Sequence, residues 1–203
     1  NSIRPQDGVR EAADIPCELT GLKLVVSEGG SQQQDPADAI IYDFVPDGKT
    51  YTAGSTNVVN VQPGDQVKVN LTVKNDAGTA GAEMYFTFDS KLTLGRTAKG
   101  TAYDGTFQWS ASDGALVWTC KDGHNQTAAD GSVIYSFNVT IPANAADGDS
   151  FLIDVNPSRK SDISIRPQGG VNEAPDHKYA IHGLKLVVGD DDTTVTSTSV
   201  LGS

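Results

Sequence analysis

Apolar and polar residues alternate along most of the chain with a period of two. Gln66 to Lys74 sets Val67, Val69, Leu71 and Val73 against Gln66, Lys68, Asn70 and Thr72, and Ala82 to Phe88 sets Ala82, Met84, Phe86 and Phe88 against Glu83, Tyr85 and Thr87. Successive side chains of a strand point to opposite faces, so each stretch predicts a strand with one face buried and one wet. Further strands are predicted at Ile40 to Val45, Asn57 to Val61, Leu92 to Thr97, Thr106 to Ser110, Ala115 to Cys120, Ser132 to Ile141, Ser150 to Val155, Asp162 to Arg166 and Tyr179 to Val188. Between them stand Asp-Gly pairs at Asp104-Gly105, Asp113-Gly114, Asp122-Gly123, Asp130-Gly131 and Asp147-Gly148, where glycine turns the chain without a Cβ clash. About nine short strands with no amphipathic helix among them imply an all-β, antiparallel sandwich or jelly roll.

One stretch departs from the alternation. In Ala115 to Cys120, Leu116, Trp118 and Cys120 share one face and Ala115, Val117 and Thr119 the other, and both faces are apolar for most of the strand. A sandwich covers only one face of each sheet, so the second face is expected to meet a partner.

A repeat sets the boundaries. Ser2 to Val26 and Ser164 to Val188 align without a gap at an offset of 162 and are identical at 16 of 25 positions, ending in the same Gly-Leu-Lys-Leu-Val-Val. That period is too long for a solenoid, whose units run roughly 20 to 50 residues, and matches one ordinary domain. The expected organisation is a C-terminal remnant of a preceding tandem module at 1–26, a linker at 27–37, a complete module at 38–188 and a Thr/Ser-rich linker at 189–203. A module of about 150 residues can bury a sizeable core.

The net charge of −11 argues against nucleic acid and anionic membranes, which require a basic face. No apolar run approaches the roughly 18 residues of a membrane-spanning helix. Cys17 and Cys120 have no metal-ligand spacing and are expected to be unpaired thiols. His124, His177 and His182 lie beside no nucleophile signature and are expected on the surface or in loops, and Asp190 to Asp192 reads as a solvated charge run. No converging catalytic set is evident, so no enzymatic activity, metal site or cofactor is expected. What stands out is aromatic: Tyr85, Phe107, Trp109 and Trp118 fall on strands that could be neighbours, either as core or as an exposed interaction face.

The stretches NVVNVQPGDQVKVNLTV, AGAEMYFTFDSKLTL, FQWSASDGALVWTCKD and GSVIYSFNVTIPANAADGDSFLIDV, in that order, resemble the cohesin modules of bacterial cellulosomal scaffoldins. The likeness runs from about Asn57 to Val188, and its most specific pieces are Val61-x-Pro63-Gly64-Asp65, Phe86-x-Phe88-Asp89 and the strand and turn from Gly131 to Gly148. The sequence looks most like the divergent type III group. The resemblance implies a nine-stranded jelly roll, without catalytic activity, that binds the calcium-loaded dockerin of a cellulosomal enzyme or another scaffoldin in a secreted or cell-surface complex. Calcium is expected on the dockerin and not on this chain.

In that family the contact surface is a flat sheet face made by strands eight, three, six and five. Carried onto this sequence, strand three supplies Glu83, Tyr85 and Thr87, strand five Phe107 and Trp109, and strand six Leu116 and Trp118, with Lys121 at its end. Trp109 and Trp118 are then expected as desolvated anchors, with Glu83 and Lys121 as a polar rim. The family's strand-three Asn position falls on Gly81. The competing function is a carbohydrate-binding sandwich that stacks exposed aromatic rings on sugars.

Overall fold

A computed structural model describes residues 35–168 and 175–189. Among them eleven strands are present: β1 (Ile40–Pro46), β2 (Thr56–Val61), β3 (Gln66–Lys74), β4 (Gly81–Phe88), β5 (Thr93–Lys99), β6 (Gly105–Ser110), β7 (Ala115–Cys120), β8 (Ser132–Thr140), β9 (Ser150–Val155), β10 (Ser164–Arg166) and β11 (Tyr179–Val188). Two short 3-10 segments, Lys121–Gly123 and Pro157–Asp162, complete the regular structure. The all-β sandwich expected from the alternation is present. The expected remnant at 1–26, most of the 27–37 linker and the segment from residue 190 onward lie outside the described residues.

One layer runs β5-β8-β3-β1 and the other β9-β4-β7-β6, with β11 between β1 and β9. Aromatic rings bridge the layers and fill the core. Phe44 of β1 meets Phe86 of β4 edge-on at 4.9 Å, and Trp109 of β6 meets Phe137 of β8 edge-on at 4.9 Å. Edge-on and offset rings at such separations add favourable quadrupole contact to the area they bury.

Strand β11 joins the layers, and its sequence explains how. Tyr179 to His182 pair in parallel with β1, whereas Gly183 to Val188 pair in parallel with β2 and Leu184 to Val187 pair antiparallel with β9. The change of partner falls at Gly183, where an added Cβ would lie 2.8 Å from the Ile153 carbonyl oxygen. These two parallel pairings depart from a purely antiparallel sandwich. β2 pairs only with β11 and β10 only with β4, so these two short strands sit beside the nine that form the continuous order.

The wet face expected for β3 is wet only at its ends. Asn70 and Thr72 are buried, and their polar groups are satisfied locally. Asn70 donates to Asp47 at 3.1 Å and accepts from Ser136 at 2.8 Å, and Thr72 donates to the Asp43 carbonyl at 3.3 Å. A buried polar group costs little once it is hydrogen-bonded, so a central strand tolerates polar residues at these positions.

A second polar centre ties three loops together. Asp76 accepts from the Gly78 amide and the Thr79 hydroxyl at 3.0 Å each, from the Tyr103 hydroxyl at 2.9 Å and from the Ala128 amide at 2.8 Å. Burial raises the Tyr103 and Tyr42 phenols above their ordinary range, and the Asp76 carboxylate adds to this.

Candidate interaction face

The layer β10-β4-β7-β6 fixes six of the eight candidate residues by register, all but Thr87 and Lys121. Three cross-strand rows point outward: Arg166, Gly81, Thr119 and Thr106; Ser164, Glu83, Val117 and Gln108; and Tyr85, Ala115 and Ser110. The rows between them point inward and hold Ile165, Ala82, Trp118 and Phe107 in one, Met84, Leu116 and Trp109 in the next. Directly opposed residues of neighbouring strands share a face, so one register assignment settles all four strands at once.

The inward rows correct four of the expected contact residues. Trp118 is 2% exposed and Leu116 is fully buried. Trp118 lies between Phe107 at 5.8 Å and Tyr103 at 6.0 Å, both stacked, with Tyr42 edge-on at 6.5 Å. Phe107 also stacks on Tyr135 at 6.3 Å, and Trp109 packs against Phe137 and Phe88. Leu116, Trp118, Phe107 and Trp109 therefore point into the core and not onto the exposed face. Large rings supply more burial energy inside a sandwich than they would on its surface, and β6 and β7 have no other large residues to offer the core.

Glu83, Tyr85 and Thr87 project from the outer side of β4, Thr87 exposed, Glu83 half-buried and Tyr85 only 6% exposed, and Lys121 is exposed just beyond β7. The tyrosine is not free: its hydroxyl donates to Glu83, and the Arg159 guanidinium lies over its ring at 3.8 Å. The 3-10 segment Pro157–Asp162 brings Arg159 there. It interrupts the second edge of β4, which pairs with β9 at Phe86 to Phe88 and with β10 at Gly81 to Glu83. Asn156 caps this segment by accepting from the Ser158 amide at 3.0 Å, and its own amide donates to the Tyr85 carbonyl at 2.9 Å.

The residues that take the place of the buried aromatics are Thr106 and Gln108, which the sequence did not single out, and Val117 and Thr119, which it placed on the second face of β7 without naming them as contacts. Thr106, Gln108 and Thr119 are exposed and Val117 and Ala115 half-buried, and among the described residues no strand packs across them. A signal for them was present in β6, where Thr106, Gln108 and Ser110 alternate with Phe107 and Trp109. The apolar outer positions Ala115 and Val117 are the ones whose pattern predicted an uncovered second face on β7.

A groove of about 240 Å³ opens at one end of this face, lined by Gly81, Glu83, Val117, Thr119, Arg166 and Pro167 among others. Its floor needs glycine, because a Cβ on residue 81 would lie 2.8 Å from the Trp118 carbonyl oxygen. An asparagine at this position is incompatible with the observed β4–β7 pairing.

No protein-family model matches the sequence, and no curated protein matches it. Solved structures do. The third ScaB cohesin of Ruminococcus flavefaciens, in complex with a group 1 dockerin, superposes with a TM-score of 0.58 at 18% identity, covering 76% of this chain and 99% of that one. The fold is that of a cohesin module. The type III cohesin of the ScaE cell-surface anchoring scaffoldin from the same organism superposes with a TM-score of 0.51 at 18% identity, over 75% of this chain and 88% of that one. A non-cellulosomal cohesin from the archaeon Archaeoglobus fulgidus gives 0.53 at 10% identity, over 76% and 94%. The cohesin fold is thus shared across type III and other cohesins.

A further constellation lies away from this face. The His182 Nδ1 lies 2.6 Å from Asp43 and its Nε2 3.1 Å from Asp35, while Lys74 forms an ion pair with the other oxygen of Asp43 at 2.7 Å. His182 is therefore not the surface or loop histidine expected. Asp43 is 3% exposed, and its carboxylate holds the Lys74 ammonium above the usual lysine range. The cluster ties β1, β3 and β11 together at the junction of the layers. Among the described residues no group of three His, Cys, Asp or Glu side chains is arranged to hold a metal ion. Cys120 is buried, donates weakly to the Thr79 carbonyl at 3.1 Å, and has its thiol pushed up to about 11 by burial.

Proposed function

We propose that this chain is a non-catalytic cohesin that binds a calcium-loaded dockerin on the outer face of β10-β4-β7-β6. The observation that carries the reading is the outward grid of Glu83, Ala115, Val117, Thr119, Thr106, Gln108 and Ser110, with Gly81 and the Arg159-covered Tyr85 at its β4 edge. What supports the reading is that β4, β7 and β6 are neighbours in one layer, with β9 and β10 on the far edge of β4, and that similar structures include cohesin–dockerin complexes.

The face suits one helix. Three rows spaced about 7 Å apart on four strands about 4.8 Å apart make a patch of about 14 Å a side, against an α-helix roughly 10–12 Å wide. Ala115 and Val117 form an apolar centre for the helix to desolvate. Thr106, Gln108, Thr119 and Ser110 surround it with donors and acceptors, and Glu83 and Lys121 supply the charged rim. The scaffold is a rigid sheet, so little conformational entropy is lost on docking. Calcium belongs to the dockerin's own loops and is not required by this chain. The cellular setting that follows is a secreted or surface-attached assembly in which dockerin-bearing enzymes or scaffoldins are collected.

The carbohydrate-binding alternative needed exposed aromatic platforms. Phe107, Trp109 and Trp118 face the core, and the exposed large apolar residues among those described are Tyr51 and Leu152. That leaves no ring-lined face to support it.

The test is calorimetric titration of the chain with calcium-loaded dockerins from several groups, with and without chelator, beside a Val117→Arg variant. Binding to one group, lost on chelation and lost in the variant, is the expected result. Binding that survives Val117→Arg refutes docking on this face.

A further inference from the structure

Two arginines border the β10 side of this face and share an unusual arrangement. Arg159 is held through Nε by Asp162 while its guanidinium stacks on Tyr85, and Arg166 is held through Nε by the Ser164 hydroxyl at 2.7 Å. In both, among the described residues, the terminal nitrogens carry no hydrogen bond. Each guanidinium is thus fixed by a side chain two or three residues away and keeps its outer edge of donors for something else.

Their surroundings decide what that is. The nearby acids are already engaged: Asp162 with Arg159, Glu83 with the Tyr85 hydroxyl, and Asp113, whose charge also reaches Arg159, with the Ser110 hydroxyl. The exposed Lys160 follows Arg159 in the same segment, in a chain whose net charge is −11. A guanidinium edge offers two parallel donors that match a carboxylate, and fixing it in advance removes most of the entropy that a flexible cation would lose. Arg166 lies opposite Gly81 and lines the groove there, and Arg159 lies over Tyr85, four residues further along β4. Four strand residues span about 13 Å, close to the roughly 11 Å that separates same-face side chains two turns apart on an α-helix.

Resting on the docking role proposed above, we propose that Arg159 and Arg166 form a two-point carboxylate reader that selects partners whose docking helix carries acidic side chains about two turns apart. The groove beside Gly81 admits the side chain that meets Arg166, and the stacked Arg159 meets the second. Partner choice then depends on the Pro157–Asp162 excursion and β10, while the β4-β7-β6 grid supplies the common docking surface.

The experiment uses the full chain and calcium-loaded dockerins, comparing Arg159→Ala, Arg166→Ala, both lysine replacements and Val117→Arg, with melting curves to verify folding. Each alanine variant is expected to weaken the acidic-helix dockerin by about 10-fold or more and to flatten the salt dependence of binding. Lysine is expected to restore the salt dependence but not the full affinity, because it lacks the fork. Neutralising the dockerin's acids to Asn or Gln is expected to abolish any further effect of the alanine replacements. Alanine variants that bind within about twofold of the parent, with unchanged salt dependence, overturn the reader even if Val117→Arg abolishes docking. Binding that persists in Val117→Arg overturns the docking face and the reader together.

Discussion

Two adjacent residues of β7 are expected to fail in opposite ways. Trp118 is 2% exposed and makes two stacked contacts and one edge-on contact, with Phe107, Tyr103 and Tyr42. Replacing a buried Trp by Ala removes its transfer energy and leaves a cavity, together about 3–5 kcal/mol. Three aromatic contacts favour the upper half of that range. Its Nε1 has no hydrogen-bond partner among the described residues, so no hydrogen bond is lost to raise the cost further. For a domain of this size 1 kcal/mol moves the melting temperature by about 2–4 °C, so Trp118→Ala should lower it by roughly 6–20 °C. Val117, one residue earlier and on the outer face, should tolerate Arg with a change in stability of about 1 kcal/mol or less and lose the partner. Urea unfolding followed by far-UV circular dichroism measures the first effect, and titration with dockerin at a temperature where both variants are folded measures the second. A Trp118→Ala protein with a parental unfolding midpoint and abolished binding would refute the inward assignment of the β7 aromatics.

Other parts of the molecule yield separate expectations. Gly183→Val places a side chain against the Ile153 carbonyl at the point where β11 changes layers, and should destabilise by about 2 kcal/mol or more in urea unfolding. Asp76→Ala leaves four donors without their acceptor and should cost about 3 kcal/mol or more, whereas removing the hydroxyl alone in Tyr103→Phe should cost about 1–2 kcal/mol. The Asp65 carboxylate is held below its ordinary range, chiefly by the Gln62 amide and then by Lys49. Its stabilisation is therefore complete above the unfolded value of about 3.9 and is lost as pH falls through the lower folded value. Asp65→Asn should accordingly be less stable than the parent at pH 7, with the gap closing below about pH 4 in acid-unfolding curves.

The alternation was enough to locate strands. Gln66–Lys74, Ala115–Cys120, Ser150–Val155 and Tyr179–Val188 were bounded to the residue, and the others to within about two, because a period of two is a local property that short runs declare by themselves. The Gly-Leu-Lys-Leu-Val-Val at Gly183 to Val188 likewise falls in a strand, β11. Glu83, Tyr85 and Thr87 were legible as an outer face because the opposite side of β4 is wholly apolar.

What the chain could not state locally was decided by packing between layers. β7 is apolar on both sides, so its own pattern gave no parity, and only the register Glu83–Val117–Gln108 turned Val117 outward and Trp118 inward. The contacts of His182 with Asp35 and Asp43 join residues 147 and 139 positions apart, and the Arg159 stack on Tyr85 depends on an excursion between β9 and β10. Strand identity follows from neighbours in sequence, whereas facing, partner choice along β11 and the shape of the outer β4-β7-β6 face follow from which residues meet across space. A single apolar strand can be turned either way at equal local cost, and the burial of Trp118 among three other rings is what breaks the tie.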